Sequence, residues 1–137
     1  MKKKLLFLGL LIFASTQVFS QKNYKKGFIV NHENDTIHGL INHVGQLAHA
    51  KKCNFKKTPE SKPVIYTPKD INAYRFQNGK LYVAKKVTIE DQEEVHKFFE
   101  YMVDGIVDMY FFRDKDGEHY FVDKGDGKLI PLKNKEP

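Results

Sequence analysis

The residue types in this chain that could do chemistry are six histidines, one cysteine, two aspartate–glycine stretches and a scatter of carboxylates and lysines. His32, His38, His43 and His49 recur at intervals of six, five and six residues. Zinc ligands on one element typically stand about three to five residues apart and converge on one side. On a continuous strand, the five-residue step from His38 to His43 sends the two rings to opposite faces. The spacing therefore predicts scattered histidines and no metal site. Asp114-Lys115-Asp116-Gly117 starts like a calcium loop, but it lacks the alternating ligands and closing glutamate that an EF-hand needs. Asp123-Lys124-Gly125-Asp126-Gly127 falls short in the same way, and both read as turns.

Nucleophilic and acid–base chemistry find no better footing. Cys53 is the only cysteine, so no intramolecular disulfide forms. A reactive thiol needs a nearby base, and no partner histidine is identifiable. In Lys52-Cys53-Asn54-Phe55-Lys56 the alternation puts Cys53 and Phe55 on one face, which predicts a buried structural thiol. Glu100 and Asp108 are the carboxylates available for a dyad, and the expected strand register places them on opposite faces. No G-x-S-x-G elbow, P-loop or H-E-x-x-H occurs. No catalytic residue and no cofactor are expected.

The basic residues point to binding instead. Lys51, Lys52, Lys56, Lys57, Arg75, Lys85 and Lys86 are interleaved with Tyr66, Tyr74 and Tyr82. In a cytosolic protein that mixture suggests nucleic acid. The N-terminus argues for another compartment. Lys2, Lys3 and Lys4 precede a short apolar run over residues 5–14, and a more polar exit follows over residues 15–20. This is the layout of a secretory signal peptide, with cleavage expected between Ser20 and Gln21. The apolar run is about half the ~20 residues that span a bilayer. No cysteine lies near the cleavage point, so a lipoprotein anchor is not expected, nor is a transmembrane segment after cleavage. Export makes nucleic acid an unsuitable partner. Anionic envelope glycans, lipid headgroups or an acidic envelope protein fit better, in the periplasm or at the outer surface.

The elements that must position these residues read as strands. The chain has 137 residues, of which 41% are hydrophobic, enough for one compact domain over residues 21–137 but not two. Residues 27–31 and 36–42 flank a polar turn as a first hairpin, and residues 52–56 form a short strand. Thr67-Pro68-Lys69-Asp70 reads as a capped helical turn. Residues 74–77 and 80–87 flank Asn78-Gly79, which supplies two positive-φ residues for a tight hairpin. Residues 95–103 and 106–113 flank Asp104-Gly105, and a two-residue turn there places Val103 opposite Ile106. Met102–Val107, Glu100–Met109 and Phe98–Phe111 then share one face, and Tyr101–Asp108 and Phe99–Tyr110 the other. Further turns lead into residues 118–123 and 128–132. The acidic segment from residue 88 reads as a loop entering the strand rather than as a helix.

The fold expected is all-β: an antiparallel meander of about eight or nine short strands. It forms a curled sheet, roll or partly closed barrel, with at most one short helical turn. Both faces of the Phe98–Phe111 hairpin are apolar, so one is expected to be covered by the curl. The other is left as an aromatic contact strip of Phe99, Tyr101 and Tyr110. The second expected contact region is the basic, tyrosine-bearing one of Tyr74, Arg75, Tyr82 and Lys85. Charge divides along the chain, with +9 over residues 21–88 and −6 over residues 89–137.

Several stretches together resemble a group of exported, β-rich proteins of Bacteroidota that form a domain of unknown function. They are Gly27-Phe28-Ile29-Val30, Asn34-Asp35-Thr36-Ile37-His38-Gly39-Leu40-Ile41, Lys52-Cys53-Asn54-Phe55-Lys56, Tyr66-Thr67-Pro68-Lys69-Asp70-Ile71, residues 98–113 and Glu118-His119-Tyr120-Phe121. A signal ending in Phe-Ser before Gln21 is similar to those of that phylum. The resemblance implies a β-rich envelope domain and carries over no catalytic residue. Some members continue past the equivalent of Leu132, which makes this chain a stand-alone or shortened version. The function expected is a non-catalytic binding or interaction module of the envelope. A small-ligand carrier with an apolar cavity is the alternative, and a hydrolase with an unfamiliar site the remote one.

Overall fold

A computed structural model describes residues 23–89, 93–103 and 105–132. The segment read as a signal peptide and Asp104 of the expected Asp-Gly turn lie outside the described residues. The described residues form ten strands and one short helix. In order these are β1 (Tyr24–Val30), β2 (Thr36–Asn42), α1 (Gln46–Lys51), β3 (Cys53–Lys56), β4 (Val64–Tyr66) and β5 (Ala73–Phe76). There follow β6 (Leu81–Ile89), β7 (Glu93–Val103), β8 (Asp108–Asp114), β9 (Gly117–Asp123) and β10 (Ile130–Pro131). All the strands belong to one antiparallel sheet, in the order β10-β9-β8-β7-β6-β5-β1-β2-β3-β4. The sheet is open, with β4 and β10 as its edges. The all-β antiparallel class and the curled open sheet are as the sequence predicts. Among the described residues no helix is long and apolar enough to cross a membrane.

One connection sets the architecture. β5 does not pair with β4 before it in the chain but returns to β1, with Ile29 opposite Tyr74 and Gly27 opposite Phe76. This joins the N-terminal hairpin to the long C-terminal meander. Alternation then sorts the side chains. Ile29, Ile41, Cys53, Phe55, Tyr74, Tyr82 and Phe98 form one buried cluster. Phe99, Tyr110, Phe112, Phe121 and Val87 form a second, with Ala50 of α1. Phe98 and its neighbour Phe99 are both fully buried, one in each cluster. Tyr74 stacks on Tyr82 with centroids 4.7 Å apart, and Phe98 stands edge-on to Tyr74 at 4.9 Å. In strand β3 Cys53 and Phe55 are buried while Asn54 and Lys56 are half-buried, as the alternation predicts.

The hairpin turns differ in detail from their expected forms. At Asn78-Gly79 only Asn78 takes positive φ, at 55°. The Gly79 N–H donates to the Phe76 carbonyl, so Asn78 sits third in a four-residue turn, where type II geometry calls for positive φ. Between β7 and β8 the observed pairs are Glu100–Phe111 and Tyr101–Tyr110, with a register shift between Tyr101 and Val103. The expected two-residue turn is replaced by a longer connection, and the register moves. At Glu100 and Tyr101 an offset of two keeps the predicted facial partners although the pairs change, whereas beyond the bulge Val103 pairs with Met109, an odd offset that the expected faces do not accommodate. The aspartates at the other turns act as the sequence suggests. Asp114 Oδ1 accepts the Asp116 N–H at 2.9 Å, and Asp123 Oδ1 accepts the N–H groups of Gly125 and Gly127 at 2.8 and 3.1 Å.

Helix α1 is not anticipated by the sequence reading. It follows Gly45, which starts it with φ 120° and no side-chain cap. It packs against β7 and β8 and inserts His49 among aromatic rings. The Val44 N–H donates to His49 Nε2 at 3.1 Å, so the ring proton sits on Nδ1 and donates to the Tyr82 hydroxyl at 3.2 Å. The Tyr74 hydroxyl donates to the His49 carbonyl. Burial, with His43 alongside, lowers the His49 pKa to about 4.

The unfolded chain therefore binds a proton at His49 between about pH 6.5 and pH 4 that the folded chain refuses, and stability falls as pH drops through that window. His96 is shifted in the same direction by burial, whereas exposed His32 is raised by its bond to the Lys69 carbonyl and opposes them. Urea denaturation is expected to show a loss of about 1–2 kcal/mol between pH 7 and pH 5. His49→Gln should flatten that dependence. A wild-type curve with no slope over this range contradicts the assignment.

Candidate functional site

A hollow lies on the sheet face opposite the Ile29–Tyr74 cluster, where β1, β2 and β5 run side by side. Alternation sends Lys26 and Phe28 of β1, and His38 and Leu40 of β2, to this face. The register sets Phe28 directly between His38 and Arg75 of β5, and Lys26 opposite Leu40. Lys57 and Pro59, from the β3–β4 connection, form a wall. The result is an open groove of about 690 Å³. Phe28 and Leu40 supply an apolar floor, and the Phe28 and His38 rings meet edge-on at 5.7 Å.

The charge of the groove has one sign. Lys26, Lys57 and Arg75 line it with His38, and among the described residues no aspartate or glutamate does. Arg75 is steadied by its Nε, which donates to the Gly79 carbonyl at 3.2 Å. Ion pairs are formed elsewhere, by Lys80 with Glu100, Lys86 with Glu94 and Arg113 with Glu118. Cations gathered without carboxylates repel one another, and a bound anion relieves that repulsion. A smaller hollow of about 190 Å³ adjoins the groove and shares Leu40 and Pro59 with it. There Lys56 Nζ lies 4.5 Å from the centroid of the Tyr24 ring.

The residues expected to form a contact surface divide sharply. Phe99 is fully buried and Tyr110 nearly so, which makes the expected aromatic strip part of the second core cluster. Tyr101 alone remains half-exposed, with its hydroxyl donating to Asp108 at 2.9 Å. Tyr74 and Tyr82 are likewise core residues, with phenols pushed well above their ordinary range by burial. Both faces of the central meander are covered, and alternation alone does not reveal this. Lys85 lies on β6, 5.3 Å from the Tyr110 ring, outside the groove. Of the second expected region only Arg75 belongs to the site. Lys57 joins it from the wider basic set, with Lys56 next door.

Sequence reasoning missed Lys26, Phe28 and His38 as site residues. The alternation Lys26-x-Phe28 opposite His38-x-Leu40 was legible in the first hairpin. The approach of Arg75 was not, because it depends on β5 pairing with β1. The other polar candidates have structural roles. Cys53 is buried, and its thiol is pushed up to about 12 by desolvation, so it stays protonated. Glu100 and Asp108 are engaged by Lys80 and Tyr101 respectively. Among the described residues no group of three or more His, Cys, Asp or Glu side chains is placed to hold a metal ion.

No protein-family model, curated protein or solved structure matches the chain.

Proposed function

We propose that this protein is an exported, non-catalytic binding module of the cell envelope, and that the groove on β1, β2 and β5 holds an anionic envelope component. One observation carries the reading: three lysine or arginine side chains and His38 surround an apolar floor with no carboxylate among them. The signal-peptide layout of residues 1–20 and the resemblance to exported Bacteroidota proteins support the location. The groove is open along its length, which favours a docking surface over a carrier that encloses its ligand.

Inorganic polyphosphate is a suitable probe, because it offers charge and nothing else. Lys57→Glu with Arg75→Glu is expected to weaken its binding by about 100-fold or more, since charge-assisted contacts are worth about 1.5–3 kcal/mol each and two are lost. Lys115→Glu with Lys124→Glu changes the net charge equally at exposed turns and serves as the control. Calorimetric titration of the two double variants separates a site from a diffuse charge effect. Equal losses in both contradict the proposal.

A further inference from the structure

We infer that the anion taken by this groove is an acidic oligosaccharide, an inference that rests on the reading above. Cations select for negative charge but not for the scaffold that carries it, and three features of the site do. The first is length. The main groove and the smaller hollow share Leu40 and Pro59 in their walls, with Lys26, Lys57 and Arg75 around one and Lys56 in the other. Such a track fits a chain with anionic groups at intervals better than a single compact ion.

The second feature is the pair of half-buried aromatic rings on the same face. Phe28 lies in the groove, and Tyr24 lies two residues before Lys26, in the hollow. Ring faces of this kind cover the C–H side of a pyranose and leave its hydroxyls to polar neighbours. Asn42 stands directly opposite Tyr24 in the β1–β2 ladder. One step beyond the Ile41–Phe55 pair, Asn54 comes opposite Asn42 across β2 and β3. The amide oxygens of Asn42 and Asn54 have no hydrogen-bond partner within the protein. Both oxygens are buried as they stand, an unpaired buried acceptor is costly, and a sugar laid on Tyr24 would be held by hydroxyls that reach them.

The third feature weighs against the nearest competitor, an acidic peptide. Peptides commonly bind sheet proteins by adding a strand at an open edge. Here β1 and β5 are paired on both sides where they flank the groove, and β2 is left open only along Thr36–Gly39, since β3 pairs with it at Leu40 and Ile41 alone, a free edge of four residues. Recognition falls mostly to side chains, which suits a ligand without a peptide backbone.

The test compares four probes on the purified protein by calorimetry: hexagalacturonate, neutral maltohexaose, a hexaglutamate peptide and inorganic polyphosphate. The inference expects hexagalacturonate to bind about ten-fold tighter than hexaglutamate at matched charge, with maltohexaose weaker than both. Tyr24→Leu should weaken hexagalacturonate about five-fold and leave polyphosphate unchanged. Should that variant fail to fold, Asn42→Asp serves instead, since a new carboxylate beside Tyr24 repels the acidic sugar. Equal affinity for hexaglutamate and hexagalacturonate overturns the oligosaccharide inference. If polyphosphate binding is still lost in the Lys57/Arg75 double variant, the anion-binding reading survives that failure. If none of the three anions binds, both are overturned.

Discussion

Gly39→Ala is expected to be among the most damaging single-methyl changes in the protein. A Cβ at Gly39 sits 2.4 Å from the Lys56 carbonyl oxygen and 2.4 and 2.6 Å from two atoms of the Phe55 ring. Neither neighbour has room to retreat. Lys56 is held opposite Leu40 in the β2–β3 ladder, and Phe55 is buried in the first core cluster. Gly27, the register partner of Gly39, is equally constrained, with the Arg75 carbonyl oxygen 2.3 Å from its Cβ position. Two facing glycines therefore let β3 and β5 close around the first hairpin, and this closure puts Lys57 and Arg75 on the same groove. Overpacking against backbone costs about 3 kcal/mol or more, a large part of the ~5–15 kcal/mol that holds a domain together. Thermal unfolding of Gly39→Ala is expected to shift down by about 10 °C or more. A shift within about 2 °C of wild type contradicts this account of the hairpin.

Phe99→Ala is expected to cost nearly as much by the opposite route. Phe99 is fully buried, edge-on to Phe112 at 4.9 Å and to Phe121 at 5.4 Å. Truncation removes the ring and leaves a cavity between two strands that are themselves fixed on both sides. Losses of about 3–5 kcal/mol are usual for such sites. Phe99→Leu keeps most of the volume and should cost about 1.5 kcal/mol or less. The comparison separates a core residue from a contact residue. A Phe99→Ala protein as stable as wild type in urea, but impaired in binding, restores the aromatic strip as a surface and contradicts the packing described here.

The parts of the fold that rest on local patterns were legible in the sequence. Cys53 and Phe55 alternate with polar neighbours, and glycine and asparagine mark the turns, so strands and most hairpins could be placed. The exact register of β7 with β8 could not, because the shift between Tyr101 and Val103 changes the pairing without changing the pattern. At Glu100 and Tyr101 the pairing lies two positions from the expected one, and that even offset is why their facial assignments still stood. Helix α1 escaped notice because six residues complete fewer than two turns, too few to show a 3.6-residue period.

Exposure was the harder property to read. A strand with apolar residues on both faces gives no sign of which face is open, and at Phe98 and Phe99 neither is. The groove was hidden for a related reason. Lys26, His38, Lys57 and Arg75 lie on four separate stretches of chain, and the β2–β3 and β1–β5 pairings are what bring Lys57 and Arg75 to the first hairpin. Composition gave a hint, since the excess of basic charge lies in residues 21–88, where every cation of the groove is found.

The central claim is that this groove is a site and not merely part of a basic half. The charge-matched comparison tests it most directly: polyphosphate affinity of Lys57→Glu/Arg75→Glu against Lys115→Glu/Lys124→Glu, measured at one ionic strength because screening alters both. The account predicts a loss of about 100-fold or more in the groove variant and near wild-type affinity in the control. Equal affinities in the two variants would mean that net charge alone governs binding, and would contradict it.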